Sequence, residues 1–114
     1  MEGEVDFEAC VREVLEALPP ELAASVSNLA IEVADEDRAH PNRLGLYQGV
    51  PLTRRSLGYL FALPDRITLY RGTLERFYGR DPDVLEERIR HVVLHELAHH
   101  FGISDERLRE LGRY

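Results

Sequence analysis

Leu94-His95-Glu96-Leu97-Ala98-His99-His100-Phe101-Gly102-Ile103-Ser104-Asp105 is the stretch on which the reading of this chain turns. Upstream of it, Asp81-Pro82 is a helix-start signature: an Asp able to cap, Pro at the first helical position, and acidic residues in the first turns. Leu85, Ile89, Val92, Val93, Leu97 and Phe101 recur at helical spacing, and Gly102 stands where a left-handed C-terminal cap is wanted. The spacing therefore predicts one helix from Pro82 to Phe101, about 30 Å long at 1.5 Å per residue. Ser104 then caps a short last helix, Asp105 to Leu111, closed by Gly112.

On such a helix the four-residue spacing of His95 and His99 puts both imidazoles on one face, a turn apart, where they can share a tetrahedral metal. Glu96 lies about 100° further round, in reach of a metal-bound water without being a ligand. Zinc needs a third protein donor. Gly102 lets the chain turn back beneath the metal, and Asp105 is the first side chain after that turn able to offer an oxygen. A shuffled chain of this composition contains His-Glu-x-x-His about 3% of the time, and the string extended through Gly102 and Asp105 over a hundredfold less often. The longer string is thus the informative one. His91 is expected outside the ligand set, because three successive helical turns rarely converge on one ion, and His100 is expected at the surface. The run Glu86-Glu87-Arg88-Ile89-Arg90 reads as a solvated helix face.

Working outward, Val5 to Leu18 reads as a helix that Asp6 can cap and Pro19-Pro20 ends. Glu21 to Val26 is a further short turn, Leu29 to Ala34 a half-buried strand, and Asp35 to Pro41 a loop. Leu44 to Leu52, with two glycines and a proline, suits an edge strand or a shaped loop. Arg66 to Tyr70, after a Leu63-Pro64-Asp65 turn, is the clearest strand signal, and Thr73 to Tyr78 a short helix closed by Gly79. The expected fold class is α/β in the α+β sense: an N-terminal helix, a small mixed sheet of three or four strands, the long metal-bearing helix and a short C-terminal helix.

The 114 residues suffice for one core and not two, so residues 1–114 are expected to form a single domain. With 14 basic against 21 acidic side chains the net charge is -7, which argues against nucleic acid or an anionic membrane surface as partner. No apolar run reaches the length of a membrane span, and the acidic start Met1-Glu2-Gly3-Glu4 is unlike a secretory signal, so a cytoplasmic location is expected. A lone Cys10 excludes an internal disulfide and a cysteine-only zinc site. All basic residues are Arg, with two Asn and one Gln, a bias that suits a heat-adapted source or a GC-rich genome equally.

The string His95-Glu96-x-x-His99-x-x-Gly102-x-x-Asp105 resembles that of metzincin-type peptidases whose third ligand is Asp. It departs from them in that the only Met is Met1, so no methionine turn can lie beneath the metal, and only nine residues follow Asp105. More closely, Gly45-Leu-Tyr-Gln-Gly-Val-Pro-Leu52, Leu63-Pro-Asp-Arg-Ile-Thr-Leu-Tyr-Arg71 and Leu94 to Asp105 resemble a small bacterial family of minimal zincin-like metallopeptidases. The resemblance covers most of the chain from Leu44 onward and implies a compact α/β fold with zinc peptidase activity.

The expectation is therefore a zinc (Zn2+) metallopeptidase acting on a peptide or protein, with His95, His99 and Asp105 as ligands and Glu96 as general base. The rival expectation is a zinc-stabilised binding or regulatory domain without turnover. By residue type alone, Tyr47, Tyr70, Arg71 and Tyr114 are candidate oxyanion donors. Either Leu44 to Leu52 or Arg66 to Tyr70 could form the edge along which a substrate lies.

Overall fold

The computed structural model describes residues 5–26, 28–49 and 65–112. The expected Leu63-Pro64 turn, the far end of the Leu44 to Leu52 segment and Tyr114 lie outside these residues.

Helix α1 (Phe7–Glu16) begins where Asp6 accepts a hydrogen bond from the Ala9 backbone N–H at 3.1 Å. It turns Phe7, Cys10, Val11 and Val14 inward, and Val5 and Leu18, expected within it, flank it as buried core residues. Pro19 and Pro20 lead into α2 (Pro20–Ala23) and a 3-10 turn (Ala24–Val26). Strand β1 (Leu29–Ala34) has Leu29, Ile31 and Val33 half-buried and the alternate residues exposed, as its sequence pattern predicts.

Strand β2 (Gly45–Gln48) is short, and β3 (Asp65–Tyr70) is buried at every position except Arg66. Among the described residues the three strands form one sheet in the order β1-β3-β2. β1 runs parallel to β3, with Leu29 opposite Asp65, and β2 runs antiparallel to it, with Tyr47 opposite Ile67. The strand with the strongest β-forming sequence is thus the central one, and β2 is an edge. Asp65, expected in a turn, is instead the first residue of β3, with a carboxylate that is fully buried.

Helix α3 (Arg71–Tyr78) follows β3 directly, two residues earlier than expected, and ends at Gly79 in a right-handed rather than left-handed conformation. Helix α4 (Pro82–Phe101) has the predicted limits, with the Asp81 side chain accepting from the Asp83 N–H at 2.9 Å. It packs against β2, β3, α1, α3 and α5 (Asp105–Leu111). Its six predicted core residues are all buried, and so are Leu94, Glu96, Ala98 and His100. That overturns the expectation for His100, which is 1% exposed. The cause is phase: His100 stands seven residues after Val93 and eleven after Ile89, on the same stripe, and α4 is covered on several sides. No described helix is long and apolar enough to cross a membrane.

Ile89 is completely buried where α4 meets the rest of the core. Ile89→Ala is expected to lower unfolding stability by about 2–5 kcal/mol with an unchanged denaturant slope, as measured by urea unfolding.

Candidate metal centre

The last two turns of α4 carry the predicted donors. His95 and His99 lie on its exposed face, their rings meeting edge to face with centroids 4.8 Å apart. Their Nε2 atoms face each other at 3.2 Å. Two nitrogens held by one tetrahedral zinc at 2.0–2.1 Å stand about 3.3 Å apart, so this pair fits the ion without rearrangement.

Gly102 then takes up φ 73° and ψ 30°, and the Ile103 N–H bonds back to the Ala98 carbonyl at 3.0 Å, the six-to-one bond that closes a Schellman turn. A Cβ at position 102 would strain this left-handed conformation. The turn reverses the chain, Ser104 accepts from the Arg107 N–H at 3.1 Å to start α5, and Asp105 falls beside His95. It meets that ring at Nδ1, with oxygens at 2.9 and 3.1 Å, on the edge of the ring away from the Nε2 pair. Among the described residues no three His, Cys, Asp or Glu side chains form a ready-made metal cage. The structure thus brings His95 and His99 together through Nε2 and sets Asp105 beside His95, but against Nδ1 rather than at the Nε2 pair.

Glu96 lies at the contact between α4 and β2, next to Gly45, where it is buried. Burial pushes its carboxyl above the ordinary value of 4.5, while His95, His99 and a hydrogen bond from the Tyr47 backbone N–H pull it back. The donor is placed by the sheet. The Tyr70 N–H bonds to the Leu44 carbonyl at 3.0 Å, so in the alternating antiparallel ladder the Tyr47–Ile67 pair is out of phase and the Tyr47 N–H faces away from β3. β2 can approach α4 so closely because position 45 is glycine: a Cβ there would stand 2.5 Å from Val92 Cγ1 and 3.3 Å from the Thr68 carbonyl oxygen. A groove of about 290 Å³ remains between them, lined by Leu44, Gly45, His91, Val92, His95 and Glu96.

His91 sits on the rim of this groove and accepts from Arg109 Nη2 at 3.2 Å, so it is engaged with α5 rather than with the His95–His99 pair. Of the oxyanion candidates, the Tyr47 hydroxyl donates to Asp65, Tyr70 is buried in β3, and Arg71 lies over the Phe7 ring. None of these three lines the groove. Sequence reasoning missed the buried cluster behind it. Asp65 Oδ2 takes the Tyr47 hydroxyl at 2.5 Å and stands 2.8 Å from His100 Nδ1, while His100 Nε2 donates to the Ser25 carbonyl at 3.2 Å. The available signal was the spacing Ile89, Val93, Glu96, His100, which places both polar residues on the core stripe.

The site thus consists of a histidine pair on the exposed face of a long helix, beside a short strand, with a buried carboxylate at the contact between helix and strand. The chain belongs to the zincin-like metallopeptidase family, whose sequence profile matches residues 25–113. None of the curated proteins compared matches it.

Because the carboxyl of Glu96 is pushed up on folding, Glu96 adds stability below its ordinary value of 4.5 and loses that contribution as pH rises through the folded value. Metal-free Glu96→Gln is therefore expected to melt higher than the parent at pH 7–8, with the gap closing at about pH 4, as followed by calorimetry from acid to neutral pH.

Proposed function

We propose that the protein is a zinc-dependent peptidase that hydrolyses peptide bonds in extended segments of a peptide or protein substrate. The observation that carries this reading is the pair of Nε2 atoms at 3.2 Å next to a buried, base-strengthened Glu96 on a groove beside an edge strand. Zinc held there would supply Lewis-acid activation of water and of the scissile carbonyl. His95 and His99 would hold it through Nε2, with Asp105 as the candidate third donor. Glu96 takes a proton from the attacking water and passes it to the leaving amine, work for which a raised carboxyl value is suited. The outer edge of β2, rather than central β3, offers the main-chain groups for an extended substrate.

The bond between Asp105 and His95 Nδ1 favours a second role for Asp105, as the carboxylate that fixes the imidazole tautomer with Nε2 free for metal. Zinc affinity separates the two. An orienting carboxylate is worth about 10–100-fold, so a larger loss in Asp105→Ala, with one oxygen fewer in the X-ray absorption coordination shell, supports ligation.

The test of the whole reading is metal content together with cleavage of denatured casein. The parent is expected to hold one zinc and to cleave, and chelation is expected to stop cleavage. Glu96→Ala should keep zinc and lose about 10²–10⁴ in rate. Zinc that raises the melting temperature without any cleavage would replace this reading with that of a zinc-stabilised binding domain, and protein that takes up no zinc would overturn both.

A further inference from the structure

We infer that the cluster of half-buried Tyr47 with buried Asp65 and His100 is a positioning device for Glu96, an inference that rests on the peptidase reading above. The cluster joins three elements behind the groove: Tyr47 from β2, Asp65 from the start of β3 and His100 from the last turn of α4. Ser25, in the 3-10 turn, holds the far side of the His100 ring. The Tyr47 ring also meets His100 edge to face, with centroids 5.8 Å apart.

Proton accounting shows how tightly the cluster is specified. A carbonyl only accepts, so His100 Nε2 carries a proton toward Ser25, and one further proton lies between His100 Nδ1 and Asp65 Oδ2. The pair is neutral overall whichever atom holds that proton. The Tyr47 hydroxyl, Asp65 Oδ2 and both His100 nitrogens are thereby engaged, and no buried side-chain polar atom among the described residues lacks a partner.

Apolar side chains would fill such a space at no loss of stability, whereas hydrogen bonds fix direction. What they fix here is an edge strand. β2 has four residues, pairs with β3 on one side, and on the other presents the Tyr47 N–H to Glu96. A strand pinned on one side can shift along its length, and the Tyr47 hydroxyl anchors the residue whose main chain holds the Glu96 carboxylate. His100 is fastened to the same Asp65, which locks the end of α4 that bears Glu96 to the strand that orients it.

The experiment compares Tyr47→Phe, which keeps the ring and removes the anchor, with Asp65→Asn and with Leu18→Ala, a core truncation at the far end of α1 chosen as a purely structural control. Readouts are zinc stoichiometry, kcat and KM on a fluorogenic peptide taken from a casein cleavage site, and hydrogen exchange of the amide at position 47 in the metal-free chain. Tyr47→Phe and Asp65→Asn are expected to keep zinc and KM within about twofold, to lower kcat about 10–100-fold, and to speed exchange at position 47 relative to other β2 amides. Leu18→Ala should lower the melting temperature and leave kcat and the relative exchange unchanged. Hydrolysis that is lost in Glu96→Ala but unchanged in Tyr47→Phe overturns the positioning role alone. A zinc-loaded parent that cleaves nothing overturns the peptidase reading and this one with it.

Discussion

Everything at this site follows from the demand that one helix be both the centre of the core and the bearer of an exposed histidine pair. Successive residues of α4 turn by about 100°, so a face given to His95 and His99 leaves their chain neighbours, Glu96 and His100, pointing inward. Both are buried. A buried polar group without a partner is costly, so each must be met by a specific donor or acceptor from elsewhere in the fold. Glu96 is met by the Tyr47 N–H, and His100 by Asp65 and Ser25.

That demand explains the sheet as well as the helix. A short strand carrying glycine at its closest point of approach can come within reach of Glu96, and a longer or bulkier strand would be held off by Val92. Burial of Glu96 is then useful chemically and adverse for folding, because the same desolvation that strengthens it as a base destabilises the metal-free protein near neutral pH.

Much of the helical framework was legible in the residues. Asp81-Pro82 and Gly102 marked both ends of α4, Asp6 and Ser104 marked two further starts, and the spacing of His95 and His99 marked their shared face, because caps and helical spacing are local properties. The order β1-β3-β2 was not legible, since it depends on pairing between segments far apart in the chain, and so the choice of edge between Leu44 to Leu52 and Arg66 to Tyr70 stayed open. Asp65 misled because Pro64-Asp65 is ordinary turn chemistry locally, and only the packing of α4 on β3 buries that carboxylate. His100 was misread as a surface residue although its phase with Val93 and Ile89 was there to be counted.

The proposed donors also sit where the backbone itself favours a cation. The carbonyls of the last turn of α4 leave partial negative charge at its C-terminus, and His99 lies in that turn. The first turn of α5 favours a carboxylate, and Asp105 opens it. Gly102 makes the two ends adjacent, so the reversal that stops one helix and starts the next also brings a cation-favouring end against an anionic side chain. In a chain of net charge -7, cation attraction at this joint reinforces the local geometry. Imidazole pairs elsewhere on α4, such as His91 with His95, share the four-residue spacing but lie a turn further from the helix end, and there His91 is bound to Arg109 instead. Spacing alone therefore does not distinguish the two pairs. Position does: His95 and His99 stand at the helix C-terminus, where a left-handed glycine turns the chain back and sets Asp105 beside His95.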